Sequence, residues 1–426
     1  MALLTIASVG LDGVSSNMVT GRPPVASMAR WARPAAATPW SAADADPRAF
    51  AVEFAKRAEA EVDVGEVEDE GHALSPAAVR LVARTWFNGY SDDSQIRTIV
   101  QFRPMPSLDP HVAQLLDLVA RAKRPPLHHL SPADAKVAYE KSSPIVDIAP
   151  IALDHVNDLT VPARDGHAIA VRTYAAREAS WADPLPLLVY FHGGGFTVGS
   201  IKTHDALCRS LAAKSGAMVL SVDYRLGPDW KFPTAANDAF DVLQWVFDEA
   251  ATIGADPARI AFGGDSAGGT LAAVTAIEAR NRGLAPVLQL LIYPGTTARE
   301  TTPSHRAFAE GYLLTQAMIA WFFAQYLRSD ADRDDWRFAP LDGGGQGADV
   351  RGVCPAWIAV AGFDPIRDAG IGYADKLRAA GVPVALKVYE GMIHDFFKLG
   401  RFVPAVEAAH HDAAEALRRA FGTQAG

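Results

Sequence analysis

A mostly parallel β-sheet covered by helices on both faces is the architecture that this 426-residue sequence predicts. Beyond about residue 150, short apolar runs alternate with stretches of helical period, the order expected of an α/β domain. The runs at 186–192, 217–224, 259–264, 288–294, 356–362 and 384–390 read as buried strands. Parallel strands buried on both faces lose the polar alternation of a half-exposed strand, and these runs are near-continuously apolar. Ahead of them, residues 159–175 form two strand-like segments around Asp165-Gly166, a hairpin that would lend the sheet an antiparallel edge.

The chain opens on residues 1–45, rich in Ala, Pro and Ser and without a period, which reads as an extension. The acidic stretch 61–70 (EVDVGEVEDE) reads as a solvated face or loop. Three helix starts follow. Ser75 caps and Pro76 opens a helix with Val79, Val82 and Trp86 on one face. Asp109 and Pro110 do the same for a helix whose Val112, Leu115, Leu116 and Val119 fall at i, i+3, i+4 and i+7. Ser131 and Asp134 make a start resembling a capping box. The chain before about residue 145 is therefore helical. Later helices at 239–250, 267–280 and 369–381 serve as crossovers between strands. No internal repeat is present.

Composition narrows the function. With 49% hydrophobic and 21% charged residues, the chain is an ordinary globular protein with enough apolar mass for one large core. A formal charge of −9 and no basic stripe argue against nucleic acid as a partner. Cys208 and Cys354 have no metal-ligand spacing, and two thiols in so long a chain fit a reducing compartment. The N-terminus lacks a basic region and a cleavage motif, and no apolar run is long enough to span a bilayer. The expectation is a cytoplasmic protein without stable membrane association, metal or cofactor.

The residues that carry chemistry stand at strand ends. Gly264-Asp265-Ser266-Ala267-Gly268-Gly269 follows the strand at 259–264 and opens a helix. A nucleophile on a sharp strand-to-helix turn stands above the sheet, with small neighbours permitting the tight backbone and a helix N-terminus behind it. G-x-S-x-G alone is a weak signal; its strand-before, helix-after context strengthens it. His192-Gly193-Gly194-Gly195-Phe196 follows the strand at 186–192 and bares backbone N–H groups that could hold an oxyanion. In α/β hydrolases the acid and then the histidine come after the serine. Asp364 stands just beyond the strand at 356–362, and His394 in the loop beyond the strand at 384–390. Both lie at carboxyl ends of strands, on the edge that carries Ser266. Asp368 is the rival acid, placed about one turn into the following helix. His410, His411, His128 and His129 read as surface or capping histidines.

Together, HGGGF, DYRLGPD, GDSAGG, FDPIRD and GMIHDFF resemble the bacterial hormone-sensitive-lipase-like carboxylesterases, from about Leu108 to the C-terminus. The resemblance implies an α/β-hydrolase fold with a helical cap and a triad of Ser266, Asp364 and His394. It assigns the oxyanion donors to the N–H groups of Gly193, Gly194 and Ala267. It further implies cap helices at 106–150 and a catalytic domain at 151–426, with further cap residues at 298–335. The extension at 1–105, partly helical, exceeds the common length of the family, is not explained by the resemblance, and is expected to act as a lid or a homodimer contact. Asp395 departs from the pattern, where Gly is common, and so do Gly227 and Asp229 in place of Ala and Glu. The expected reaction is hydrolysis of short- to medium-chain carboxylic esters through an acyl-enzyme, on a small-molecule ester. His192 would hold the glycine loop, and Phe196, Trp321, Phe322 and Trp86 are either pocket wall or plain core. Hydrolysis of amides, lactams or epoxides, acyl transfer to an alcohol, and ligand binding without turnover are the alternatives.

Overall fold

The computed structural model describes residues 107–423. The helix expected near Trp86, the acidic stretch at 61–70 and the roles considered for residues 1–105 lie outside the described residues.

Two helices come first. Helix α1 (Pro110–Arg121) is capped by Asp109, whose Oδ1 accepts from the His111 N–H at 2.8 Å. Its Val112 and Leu115 are buried and Leu116 and Val119 half-buried, as the i, i+3, i+4, i+7 spacing requires. Helix α2 (Pro132–Val146) is capped by Ser131, whose Oγ accepts from the Asp134 N–H at 3.1 Å. It runs on through Pro144, beyond the start legible in the sequence.

The hairpin follows, β1 (His155–Pro162) paired antiparallel with β2 (Ala168–Ala175). Gly166 supplies the positive φ of +85° that the turn needs. Next come β3 (Leu185–Phe191), α3 (Asp205–Ser215), β4 (Met218–Asp223), α4 (Thr234–Glu249), β5 (Ala255–Asp265) and α5 (Ala267–Asn281). The chain continues as β6 (Leu288–Ile292), α6 (Pro303–Ala307), α7 (Gln316–Tyr326), β7 (Ala356–Phe363), α8 (Arg367–Ala379), β8 (Val384–Ile393) and α9 (Ala405–Phe421).

The eight strands form one sheet in the order β1-β2-β4-β3-β5-β6-β7-β8. Pairings from β4 to β8 are all parallel, and β2 is antiparallel to both its neighbours, so the hairpin forms the expected antiparallel edge. Alternate residues of β3 feed two cores. Leu187, Val189 and Phe191 pack with α4, α5 and α8 on one face. Leu188 and Tyr190 pack with α1, α2, α3 and α9 on the other. The strand order reverses direction around β3, which places the open ends of β3 and β5 at the crevice where ligands of such sheets bind.

Candidate active site

Ser266 stands on the turn between β5 and α5 with φ +53° and ψ −119°, a backbone that few residues with a side chain adopt. Two constraints hold it there. The Ser266 N–H donates to the Ile292 carbonyl on the adjacent β6 at 2.9 Å. Gly268 lets the first turn of α5 press against β3, since a Cβ there would occupy the position of the Phe191 carbonyl oxygen. The strain is thus sustained by the sheet, and Oγ projects from the C-terminal edge.

The sheet brings Asp364 and His394 to that oxygen. His394 Nε2 lies 2.9 Å from Ser266 Oγ, and its Nδ1 lies 2.7 Å from Asp364 Oδ2. The other oxygen of Asp364 accepts from the Ile366 N–H at 2.9 Å. Asp364 is fully buried and His394 nearly so, while Ser266 is half-buried and reachable. The ring of Tyr293 lies 4.8 Å from that of His394. Burial disfavours the imidazolium of His394, but the charge and hydrogen bond of Asp364 outweigh it, and Asp395 and Asp265 add to them. His394 therefore titrates above the usual histidine value of 6.5.

Asp368 is turned elsewhere. It sits in the first turn of α8, earlier than expected, and its carboxylate accepts from the Ser304 N–H at 2.8 Å and the Arg367 Nε–H at 3.0 Å. His411 and His129 are exposed and His128 is half-buried. His410 is a correction. It is buried, with Nδ1 2.9 Å from Ser210 Oγ and Nε2 2.8 Å from the Phe397 carbonyl oxygen. The packing of α9 on α3 closes over it, which a helical period alone does not reveal.

The glycine loop after β3 corrects a second expectation. The N–H of Gly193 is taken up inside the protein: it donates to Asp265 Oδ1 at 3.0 Å and lies 3.3 Å from His204 Nε2. A Cβ on Gly193 would collide with that carboxylate, so the glycine serves a close internal approach. The N–H groups of Gly194, Gly195 and Ala267 have no protein acceptor among the described residues, and all three residues line the pocket. Gly195 thus stands in place of Gly193 among the glycines whose N–H is left without a protein acceptor beside the pocket.

Asp265 is the support that sequence reasoning missed. Burial would raise its pKa, but His204, Lys398 and the Tyr190 hydroxyl, which donates at 2.7 Å, hold it well below the usual carboxylate range. A buried carboxylate so satisfied locks the glycine loop to the Ser266 turn. His192 helps from the other side. Its Nδ1 lies 2.8 Å from the Gly193 carbonyl oxygen, and the Tyr224 hydroxyl donates to its own carbonyl at 2.7 Å. Burial, with His204 nearby, pushes His192 down to about 3, so it is neutral and holds the loop.

Ser266 and His394 open onto a cavity of about 360 Å³. Its wall is largely apolar: Leu116 and Val119 from α1, Met318, Ile319 and Phe322 from α7, and Phe196. Trp321 does not line it but packs behind Phe322, with ring centroids 5.2 Å apart. Tyr139 of α2 also faces the cavity; its hydroxyl receives Lys398 Nζ at 2.7 Å and lies 3.4 Å from Asp395 Oδ2. Asp395 takes a left-handed conformation at φ +68°, which accounts for glycine suiting that position.

Comparison with known proteins agrees with this architecture. A family model described as an alpha/beta hydrolase fold matches residues 188–398. The ethyl acetate hydrolase of Pseudomonas putida is 39% identical over 319 residues, covering 74% of this chain and 99% of that protein. The carboxylic ester hydrolase LipN of Mycobacterium tuberculosis is 43% identical over 270 residues, 62% of this chain and 70% of that one. A solved structure, LAE6, an α/β hydrolase enzyme from the metagenome of Lake Arreo in Spain, is 40% identical with a TM-score of 0.70. It covers 74% of this chain and 99% of its own. No helix among the described residues is long and apolar enough to cross a membrane. An eight-stranded, mostly parallel sheet, a serine on its central turn and relatives matched over nearly their whole length make this chain a member of the α/β-hydrolase family, in the hormone-sensitive-lipase-like branch its motifs resemble.

Proposed function

We propose that this enzyme is a serine carboxylesterase that hydrolyses short- to medium-chain esters through an acyl-enzyme on Ser266. The observation that carries the reading is the continuous chain Asp364–His394–Ser266 at 2.7 and 2.9 Å, ending at an apolar cavity. His394 Nε2 takes the Ser266 proton as Oγ attacks the ester carbonyl, and Asp364 keeps the other imidazole proton on Nδ1. The tetrahedral oxyanion forms against the N–H groups of Gly194, Gly195 and Ala267, each donor being worth about 3–4 kcal/mol in such sites. His394 then returns the proton to the departing alcohol. Water attacks the acyl-enzyme with His394 again as base, and the carboxylic acid leaves.

Helices α1 and α2 and the segment 298–335 act as the cap in this reading, since their side chains close the cavity over Ser266. A cavity of about 360 Å³ lies at the small end of the ~300–1,000 Å³ typical of small-molecule sites, which suits short acyl chains. The test is a p-nitrophenyl ester series from acetate to palmitate. The expected result is a kcat/KM optimum at butyrate to hexanoate and a steep fall beyond octanoate. A flat profile or a palmitate optimum overturns the chain-length reading, and no cleavage of any member overturns the esterase itself.

The pH profile follows from His394. Only its neutral form accepts the Ser266 proton, and its pKa is raised above 6.5 by Asp364 against the effect of burial. The acid limb of kcat/KM is therefore expected to rise with a midpoint above 6.5. Asp395→Asn removes a further raising charge and moves that midpoint to lower pH. An unchanged or higher midpoint in the variant refutes the role given to the Asp395 charge.

A further inference from the structure

The buried histidines of this protein differ in one respect. His204, His394 and His410 have both ring nitrogens engaged by protein groups. His192 has Nδ1 engaged and Nε2 sealed in the interior without a partner. His305 is also buried, at 2% exposure, with Nδ1 2.7 Å from Thr302 Oγ1. Its Nε2 has no protein partner among the described residues, yet it is not sealed as in His192. His305 lines the cavity that holds Ser266 and His394. We propose that His305 Nε2 is a polar subsite of the pocket that recognises a second, neutral oxygen acceptor (a carbonyl, ether or hydroxyl oxygen) on the ester substrate.

The mount is rigid. Ser304 Oγ donates to the Pro365 carbonyl at 2.7 Å, and the Ser304 N–H donates to Asp368 at 2.8 Å. The short helix α6 is thereby tied to the loop that carries Asp364, which sets His305 at a constant position relative to the reacting serine. Asp368, the acid that catalysis does not use, acquires its role here.

The hydrogen-bond pattern selects the ligand chemistry. Ser304 Oγ gives its proton to Pro365 and accepts from the Asp368 N–H, so the single Thr302 hydroxyl proton has two acceptors within reach, Ser304 Oγ at 3.1 Å and His305 Nδ1 at 2.7 Å. Thr302 Oγ1 also accepts from the His305 N–H, and the subsite requires its proton on the shorter of the two contacts, the one to Nδ1. With the Thr302 proton on that contact, the ring proton sits on Nε2 and is offered to the cavity. Burial lowers the pKa of His305, against the pull of Asp364, Asp368 and Asp342, so the ring is neutral when it does so. Those same three carboxylates oppose a second carboxylate on the substrate, which leaves a neutral oxygen as the group recognised.

The inference rests on the esterase reading, and the experiment separates the two. Two matched pairs are compared by kcat/KM in wild type, His305→Leu, His305→Phe and His305→Gln. On the acyl side the pair is p-nitrophenyl 4-oxopentanoate against 4-methylpentanoate; on the alcohol side it is 2-methoxyethyl butyrate against butyl butyrate. Wild type is expected to favour the oxygen-bearing member of at least one pair by about fivefold, the effect of one neutral hydrogen bond. Leu and Phe bring that ratio to about unity, and Gln, which keeps an N–H donor, retains part of it. Reading a ratio within each variant removes any common loss of stability. A wild type that cleaves the alkyl esters without preferring oxygen in either pair, or a preference that survives in Leu and Phe, overturns the subsite alone. A wild type that cleaves none of the four overturns the esterase reading and the subsite with it.

Discussion

Ser266→Ala is expected to lower kcat for ester hydrolysis by about 10⁶-fold, the loss seen when a nucleophile acting as part of a unit is removed. The physical reason is that His394 and Asp364 have no other proton to move. His394 Nε2 lies 2.9 Å from Ser266 Oγ, and no other protein atom is hydrogen-bonded to that nitrogen among the described residues. The fold is expected to survive the change. The turn is held by the Ser266 N–H to the Ile292 carbonyl and by the close contact of Gly268 with β3, and alanine keeps both. The check is kcat of both proteins on p-nitrophenyl butyrate, with thermal unfolding alongside and mass spectrometry after a phosphonate ester. Wild type should gain one phosphonyl group and Ser266→Ala none. A variant that hydrolyses as fast as wild type removes Ser266 from the reaction.

The second large effect is Asp364→Asn, expected to cost about 10⁴-fold in kcat near neutral pH. One oxygen of Asp364 accepts from the Ile366 N–H and the other faces His394 Nδ1 at 2.7 Å. In asparagine the amide oxygen keeps the bond to Ile366 and the NH₂ turns toward the imidazole. His394 then answers with a bare Nδ1 and a protonated Nε2, which cannot take a proton from Ser266. Asp368→Asn provides the comparison, since Asp368 is bound to Ser304 and Arg367. Its kcat on alkyl esters is expected to stay within about tenfold of wild type, as for a change away from the reacting atoms. A larger loss for Asp368 than for Asp364 would exchange their roles.

Glycine substitutions in the loop after β3 are open to misreading. A low activity in Gly193→Ala would look like a lost oxyanion donor. The Gly193 N–H is bound to Asp265, and a Cβ there strikes the same carboxylate. Such a loss would therefore report displacement of the loop that carries Gly194 and Gly195.

How much of this was legible beforehand follows from the range of the interactions involved. Strand and helix positions, the antiparallel edge and the assembly of Ser266, Asp364 and His394 could be read because each rests on a local pattern. A buried strand must be apolar, a nucleophile turn must be small and lead into a helix, and strand ends in a parallel sheet share one edge. The donor set could not be read that way. Which glycine keeps a free N–H depends on Asp265, 72 residues further on, and on the buried His204 beside it. Three adjacent glycines look alike until that carboxylate is in place.

The histidines make the same distinction. By its sequence alone this protein determined that one histidine, His394, would stand beyond the last strand and reach the serine. The chain order and the strand ends were enough for that. Only the tertiary structure decided that His410 is sealed where α9 packs on α3, and that His305, tied through Nδ1 to Thr302, lines the pocket. Whether a polar atom is paired, sealed or exposed depends on what other segments pack against it, and a buried nitrogen is costly unless it is met. Periodicity tells which side of an element faces inward, but not which partner waits there.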